Sequence, residues 1–207
     1  MLTAVAEITD RVEPGALVTR GSYRNPNLLA DMARSIDHIS GGRMILGVGS
    51  GWSQKDYDEY GYEFGPKGRR LRDLDRAIPI IKERSGKLNP PPVCEPLPIL
   101  IGGSREKVTL RIVGKYAHIW NGFGDPQRAE HLSGVLGYRC KEGGRDPAEI
   151  ELSITVRDAK QMVEYMKVGI THLVMGFSGP SYDLAPLADL MIAWRDRQRS
   201  IKATSGG

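Results

Sequence analysis

Gly102-Gly103-Ser104 follows the apolar run Ile99 to Ile101 and precedes a helical pattern that carries Val108, Ile112 and Val113. The free N–H groups and the dipole of a helix start favour an anion, and glycine lets backbone approach a phosphate closely. Serine is equally an ordinary N-cap, so a tight turn with a helix cap accounts for the same three residues. Gly49-Ser50-Gly51-Trp52 stands in the same position after the run Met44 to Val48. There, a ligand-contacting loop and a loop whose glycines only permit the turn both fit, and Trp52 is either a ring neighbour or a packing residue. Asn121, directly after Trp120, closes a third run, where a polar side chain reads as a ligand contact or a turn former.

Other chemistries find no constellation. His38 precedes a glycine helix stop, where a cation complements the dipole. His118 and His172 begin strands, at the end away from these turns, and His131 falls on a helix surface. All four read as structural, with no Ser/His/Asp set and no metal spacing. Cys94 and Cys140 are too few for a disulfide framework, which points to a reducing, cytoplasmic setting. Tyr57, Tyr60, Tyr62 and Phe64 form an aromatic cluster that lines a substrate entrance or pins its loop.

The 207 residues are 40% hydrophobic and 26% charged, an ordinary globular balance. No apolar stretch reaches the roughly 20 residues of a membrane-spanning helix, and the N-terminus has no basic stretch of a signal peptide. The net charge is +4, and the densest basic run, Lys67 to Arg72, is followed at once by Asp73 and Asp75. That pattern reads as a solvated helix face, the alternative being bases near an anionic ligand. It does not indicate nucleic-acid binding.

The elements that position these residues alternate. Val12 to Thr19 reads as a strand, and Asn25-Pro26 opens a helix with its cap and first-turn proline, stopped by Gly41-Gly42. Met44 to Val48 is the second strand. A helix over Arg69 to Arg84, kinked at Pro79, and a proline-rich link lead to the third strand, Ile99 to Ile101. A helix follows Ser104, then a strand over Ala117 to Trp120. Asp125-Pro126 opens a helix closed by Gly143-Gly144. Ile150 to Val156 is the fifth strand, Asp158 caps a helix to about Gly169, and His172 to Phe177 is the sixth. A last helix near Leu187 to Gln198 packs through Leu187, Leu190, Met191 and Trp194.

Six strand–helix alternations with apolar strands mean an α/β fold with a parallel sheet in one domain, residues 1–207. Gly47-Val48-Gly49-Ser50-Gly51 lacks the third glycine of a dinucleotide fingerprint, which leaves a barrel as the better architecture. A (β/α)8 barrel takes about 250 residues, near 30 per unit, so six units are expected here and two are absent. Leu2, Val5 and Ile8 also place Met1 at an uncapped helix start.

The stretches Gly15 to Trp52, Lys55 to Gly65, Pro98 to Pro126 and Gly144 to Ser153 resemble the bacterial-luciferase-like family of flavin and deazaflavin oxidoreductases. The run SGGRMILGVGSGW carries most of that likeness, and more narrowly the chain resembles the branch that uses coenzyme F-420. The resemblance implies a (β/α)8 barrel, N-terminally shortened to about six units, with the deazaflavin or, alternatively, FMN at the C-terminal strand ends. It implies cofactor contacts at Ala16, Leu17, Thr19, Gly49, Ser50, Gly51, Gly102, Gly103, Ser104 and Asn121. Among these, Ala16-Leu17 matches a position where relatives carry a non-proline cis peptide, and the turn at Gly102 would meet the cofactor phosphate. Thr19 would bond a ring carbonyl or simply end its strand.

The implied activity is hydride transfer between reduced cofactor and a small organic substrate, in a homodimer. A flavin monooxygenase and a remnant without catalysis are the rival expectations. No residue is assignable as catalytic acid or base.

Overall fold

The apolar runs become six parallel strands hydrogen-bonded in chain order: β1 (Thr19–Arg20), β2 (Leu46–Gly49), β3 (Ile99–Gly102), β4 (Ile119–Gly122), β5 (Glu151–Val156) and β6 (His172–Met175). The structure, a computed structural model, describes residues 1–156 and 161–176, together with 185, 188, 191 and 192. Parallel neighbours need crossovers, and helices supply them. These are α2 (Pro26–Ser40), α4 (Lys67–Ser85), α5 (Thr109–Tyr116), α6 (Pro126–Glu142) and α7 (Met162–Lys167); α1 (Leu2–Ile8) precedes β1, and α3 (Gln54–Glu59) lies between β2 and α4.

Side chains alternate along a strand, and the sheet uses this to separate a core from a site. Leu46, Val48, Ile99, Ile101 and Trp120 pack into one buried cluster with Leu74, Ile78 and Ile81 of α4 and Ile112 and Val113 of α5. Gly47, Gly49, Leu100, Gly102 and Asn121 alternate with them on the opposite face.

Helix ends follow local chemistry. Asn25 Oδ1 accepts from the Asn27 N–H at 2.9 Å, and Gly41 ends α2 in the left-handed region at φ 66°. Asp125 caps α6 through the Arg128 N–H at 2.8 Å. Helix α4 runs on through Pro79.

Most boundaries shift by a residue or two (β2 is Leu46–Gly49 and not Met44 to Val48, β4 is Ile119–Gly122 and not Ala117 to Trp120), and three differences bear on the site or the core. The first strand pairs only at Thr19–Arg20 and through an isolated Gly15–Ile45 bridge, since Pro14 has no N–H and residues 16–18 lean over β2. Helix α5 begins at Thr109 with Val108 as its N-cap, so Ser104 is not a cap. The sixth strand ends at Met175. Asp158, Phe177, Leu187, Leu190 and Trp194 lie outside the described residues, while Met191 is 63% exposed instead of packed.

Buried polar groups pin the irregular segments. Asp37 Oδ2 accepts from the N–H groups of Val93 (2.6 Å) and Cys94 (3.1 Å), holding the proline-rich link on α2. Asp37→Ala leaves both amides without an acceptor and is expected to cost about 2 kcal/mol. A urea unfolding midpoint equal to that of the parent would show that the link is held elsewhere.

His118 Nδ1 accepts from the Ile99 N–H at 3.0 Å at the base of β3 and β4. Burial, then Lys82 and Arg145, holds the imidazole pKa below its ordinary value. The unfolded chain therefore binds this proton more readily. The stability it contributes is present above the unfolded pKa and is lost as pH falls through that value toward the folded one. The thermal midpoint is expected to drop between about pH 7 and pH 5, and less so in His118→Gln. Parallel pH curves for the two proteins would assign the drop to other groups.

Candidate functional site

A cleft of about 380 Å³ opens at the C-terminal ends of β1 to β4. Its walls are Leu17, Val18, Arg20, the turn Gly49 to Trp52, Gly102, Asn121 and Phe123. Register sets the floor. Arg20 is level with Gly49, Gly102 with Asn121, and Asn121 with Ser153, a row of small or polar residues across the sheet.

The glycines of β2 and β3 have a packing partner before any ligand. A Cβ on Gly47 would sit 1.9 Å from the Ala16 carbonyl oxygen. One on Gly49 would lie 2.5 Å from Val18 Cγ2, and one on Gly102 3.2 Å from Val18 Cγ1. Residues 16–18 thus bend inward across two neighbouring strands and bring Leu17 and Val18 into the cleft as an apolar shelf. The cis peptide of this segment is Leu17–Val18, one bond later than the resemblance placed it at Ala16-Leu17.

The residues singled out from sequence divide. Leu17, Gly49, Ser50, Gly51, Gly102 and Asn121 line the cleft together. Ala16 and Thr19 line a separate groove with residues of α2, and the Thr19 hydroxyl accepts from Arg24 at 3.2 Å. Gly103 and Ser104 lie just beyond the cleft. The Gly103 N–H donates to the Asn121 carbonyl (2.9 Å), its carbonyl accepts from Trp120 Nε1 (2.8 Å), and Ser104 Oγ accepts from the Phe123 N–H (3.2 Å). Among the described residues, the N–H groups of Ser104 and Arg105 have no partner. These are the donors the turn offers an anion.

Asn121 is fully buried, donating to Ser153 Oγ at 2.9 Å and accepting from Thr155 at 3.3 Å. The network fixes its amide against rotation beneath the cleft. His172 begins β6, as expected, pairs with Ser153 and is not among the residues lining the cleft.

Two residues of the site carry no mark in the sequence: Val18 and Arg20. Arg20 donates to Asp56 and to the Tyr23 hydroxyl, and its guanidinium lies 5.2 Å and 5.6 Å from the ring centres of Tyr23 and Tyr57. Burial alone would lower its pKa, but the bonds to Tyr23 and Asp56 outweigh that and raise it. Asp56 is held below the usual carboxylate range by the Arg20 bond and then by Ser53. The cation is therefore compensated on the protein side. Tyr57, in edge contact with Tyr23 and Phe64 at 4.9 Å, is buried, so the aromatic cluster anchors its loop.

No carboxylate or imidazole is among the described residues lining the cleft. Its shelf, small floor and rim amides suit binding and orienting a flat ring with a charged tail, with the chemistry carried by that ring.

The sequence over residues 1–158 matches the model of the luciferase-like monooxygenase family. An uncharacterized protein of Mycobacterium tuberculosis is 28% identical over 207 residues, covering 90% of this chain and 69% of its own length. The F-420-dependent glucose-6-phosphate dehydrogenase of Amycolatopsis mediterranei is 36% identical over 83 residues, covering 40% of this chain and 25% of its own. Among solved structures, the coenzyme F-420-dependent tetrahydromethanopterin reductase of Methanopyrus kandleri superposes with a TM-score of 0.62 at 20% identity, covering 77% of this chain. The chain spans 55% of the length of that reductase, and at this identity the likeness concerns the fold. The six-stranded α/β arc, its cleft at the C-terminal strand ends and the family match agree: the chain belongs to the luciferase-like monooxygenase family.

Proposed function

We propose that the protein is an oxidoreductase that binds a deazaflavin of the coenzyme F-420 type and serves hydride transfer between it and a small organic substrate. The observation that carries this reading is the Leu17–Val18 shelf, seated against Gly49 and Gly102 at the strand ends. The local 36% match to an F-420-dependent dehydrogenase favours the deazaflavin. When bound, a reduced deazaflavin supplies a hydride and is a poor activator of oxygen, because carbon replaces the flavin's N5.

The cleft residues fit such a group. Leu17 and Val18, seated against Gly49 and Gly102, would support one apolar face of the ring. Ser50, Gly51 and Trp52 line the cleft beside the shelf, and the unpartnered amides of Ser104 and Arg105, just beyond it, would be the donors for the anionic tail. Phosphate held there would gain charge-assisted hydrogen bonds from neutral donors. Homodimerisation belongs to the same proposal.

The family description as a monooxygenase favours a second reading, with FMN in the same seat. Titration of the folded chain with coenzyme F-420 and with FMN in parallel, followed by cofactor fluorescence, separates the two. Selective deazaflavin binding that is lost in Gly102→Val supports the proposal. Preference for FMN moves the chain to the oxygenase reading, and failure of both to bind refutes cofactor binding by this polypeptide.

A further inference from the structure

The mouth of the cleft is apolar. Trp52, in the turn after β2, is 84% exposed, and Phe123, directly after β4, is 54% exposed. Leu17 of the shelf is 47% exposed, and all three line the cleft. At such exposure Trp52 is not a packing residue. Strands β2 and β4 flank β3, so the two aromatic residues stand on turns either side of Gly102, which contributes no side chain. Strands two apart in a sheet lie about 10 Å from each other, enough for one flat ring between aromatic side chains. Neither ring meets another aromatic or a cation among the described residues.

Inside this mouth the cleft offers no uncompensated charge. Arg20 is the one charged side chain among the described residues that line it. Asp56 neutralises that guanidinium, and the Tyr23 hydroxyl accepts another of its N–H groups. The Asn121 amide is engaged by Ser153 (2.9 Å) and Thr155 (3.3 Å), which leaves Ser50 as a neutral hydroxyl. The unpartnered amides of Ser104 and Arg105 lie beyond the cleft. A charged substrate entering here gives up water without gaining a counter-ion, which is costly. A flat apolar one gains buried area and stacking.

We propose that the substrate taken by this cleft is a flat, uncharged, conjugated organic molecule held by Trp52 and Phe123, and not a sugar phosphate or a carboxylate. The inference rests on the cofactor reading above and narrows it. The shelf seats the cofactor, and the two aromatic side chains at the mouth seat the substrate.

The test is calorimetric titration of the full chain, saturated with coenzyme F-420, with 2-naphthol and with 2-naphthoate at pH 7. The two probes share a ring system and differ in charge. Saturable binding of 2-naphthol, at least about tenfold tighter than that of 2-naphthoate, is expected. Trp52→Ala combined with Phe123→Ala alters two exposed side chains, so the unfolding midpoint is expected to stay in place. Binding of 2-naphthol is expected to weaken about tenfold in this double variant, and Trp52→Tyr, which keeps a flat face, to retain most of it. Equal binding of the two probes, or equal 2-naphthol binding by parent and double variant, overturns the proposal. A matching loss of coenzyme F-420 affinity in the double variant also overturns it, by assigning both side chains to the cofactor. A parent that binds coenzyme F-420 but not 2-naphthol refutes this inference alone, whereas a parent that does not bind coenzyme F-420 refutes the cofactor reading beneath it.

Discussion

Gly47→Ala is expected to lower the free energy of unfolding by roughly 3 kcal/mol, the upper end for overpacking a well-filled site. A methyl group at Gly47 meets the Ala16 carbonyl oxygen at 1.9 Å. That atom is backbone and cannot turn aside, so the whole segment from Ala16 to Val18 has to retreat from β2. Leu17 and Val18 go with it, and cofactor binding is expected to fall together with stability. Gly49→Ala is the informative comparison, because its methyl meets the end of the Val18 side chain. Adding Val18→Ala is expected to relieve Gly49→Ala but not Gly47→Ala. Chemical denaturation of the set checks this, and a Gly47→Ala protein as stable as the parent would contradict the close approach of β1 to β2.

Trp120→Ala is expected to cost about 3–5 kcal/mol, as for other fully buried large aromatics. The indole is fully buried in the main core, and its Nε1 also ties down the Gly103 carbonyl. Trp120→Phe separates the two contributions. It retains most of the apolar contact and loses the hydrogen bond, an expected cost of about 1 kcal/mol. If the turn at Gly103 serves the anionic tail of the cofactor, Trp120→Phe weakens cofactor binding more than it weakens the fold. Equal binding by parent and Trp120→Phe would show that the turn holds its shape without the indole.

Those two residues also mark where sequence reading succeeds and fails. Asn25-Pro26, Gly41-Gly42 and Asp125-Pro126 gave true helix ends, because capping is settled by residues a few positions apart. The apolar runs became strands in the expected order for the same local reason. The first strand did not follow its apolar pattern, since its path depends on glycines some thirty residues later. In sequence those glycines resemble ligand-facing turns; in the fold they make room for Val18. Ser104 looked like a helix cap, yet its hydroxyl serves β4's outgoing turn and α5 starts at Thr109.

The buried Arg70, whose Nε donates to the Gly51 carbonyl on the cleft rim, was hidden in a run that reads as a solvated face. Its clue was spacing, four residues before Leu74 and seven before Ala77, which sets it on the buried stripe of α4. Arg20 had no comparable mark, because Asp56 and Tyr57 reach it only through the folded loop.

The strand that carries the apolar shelf is the one least fastened to the sheet. It pairs with β2 over Thr19 and Arg20 and one bridge at Gly15, whereas β4 and β5 pair over four positions. Segments with few ladder bonds open more often than the core, at a lower free energy. Amide hydrogens in β1 are therefore expected to exchange with solvent sooner than those of β4, with the cleft's first wall opening more readily than its floor. A ligand resting on Leu17 and Val18 has to hold that wall shut, so part of its binding free energy goes into suppressing the opening. Its imprint is slower exchange across residues 15–20, a signature visible even for a ligand too weak to crystallise.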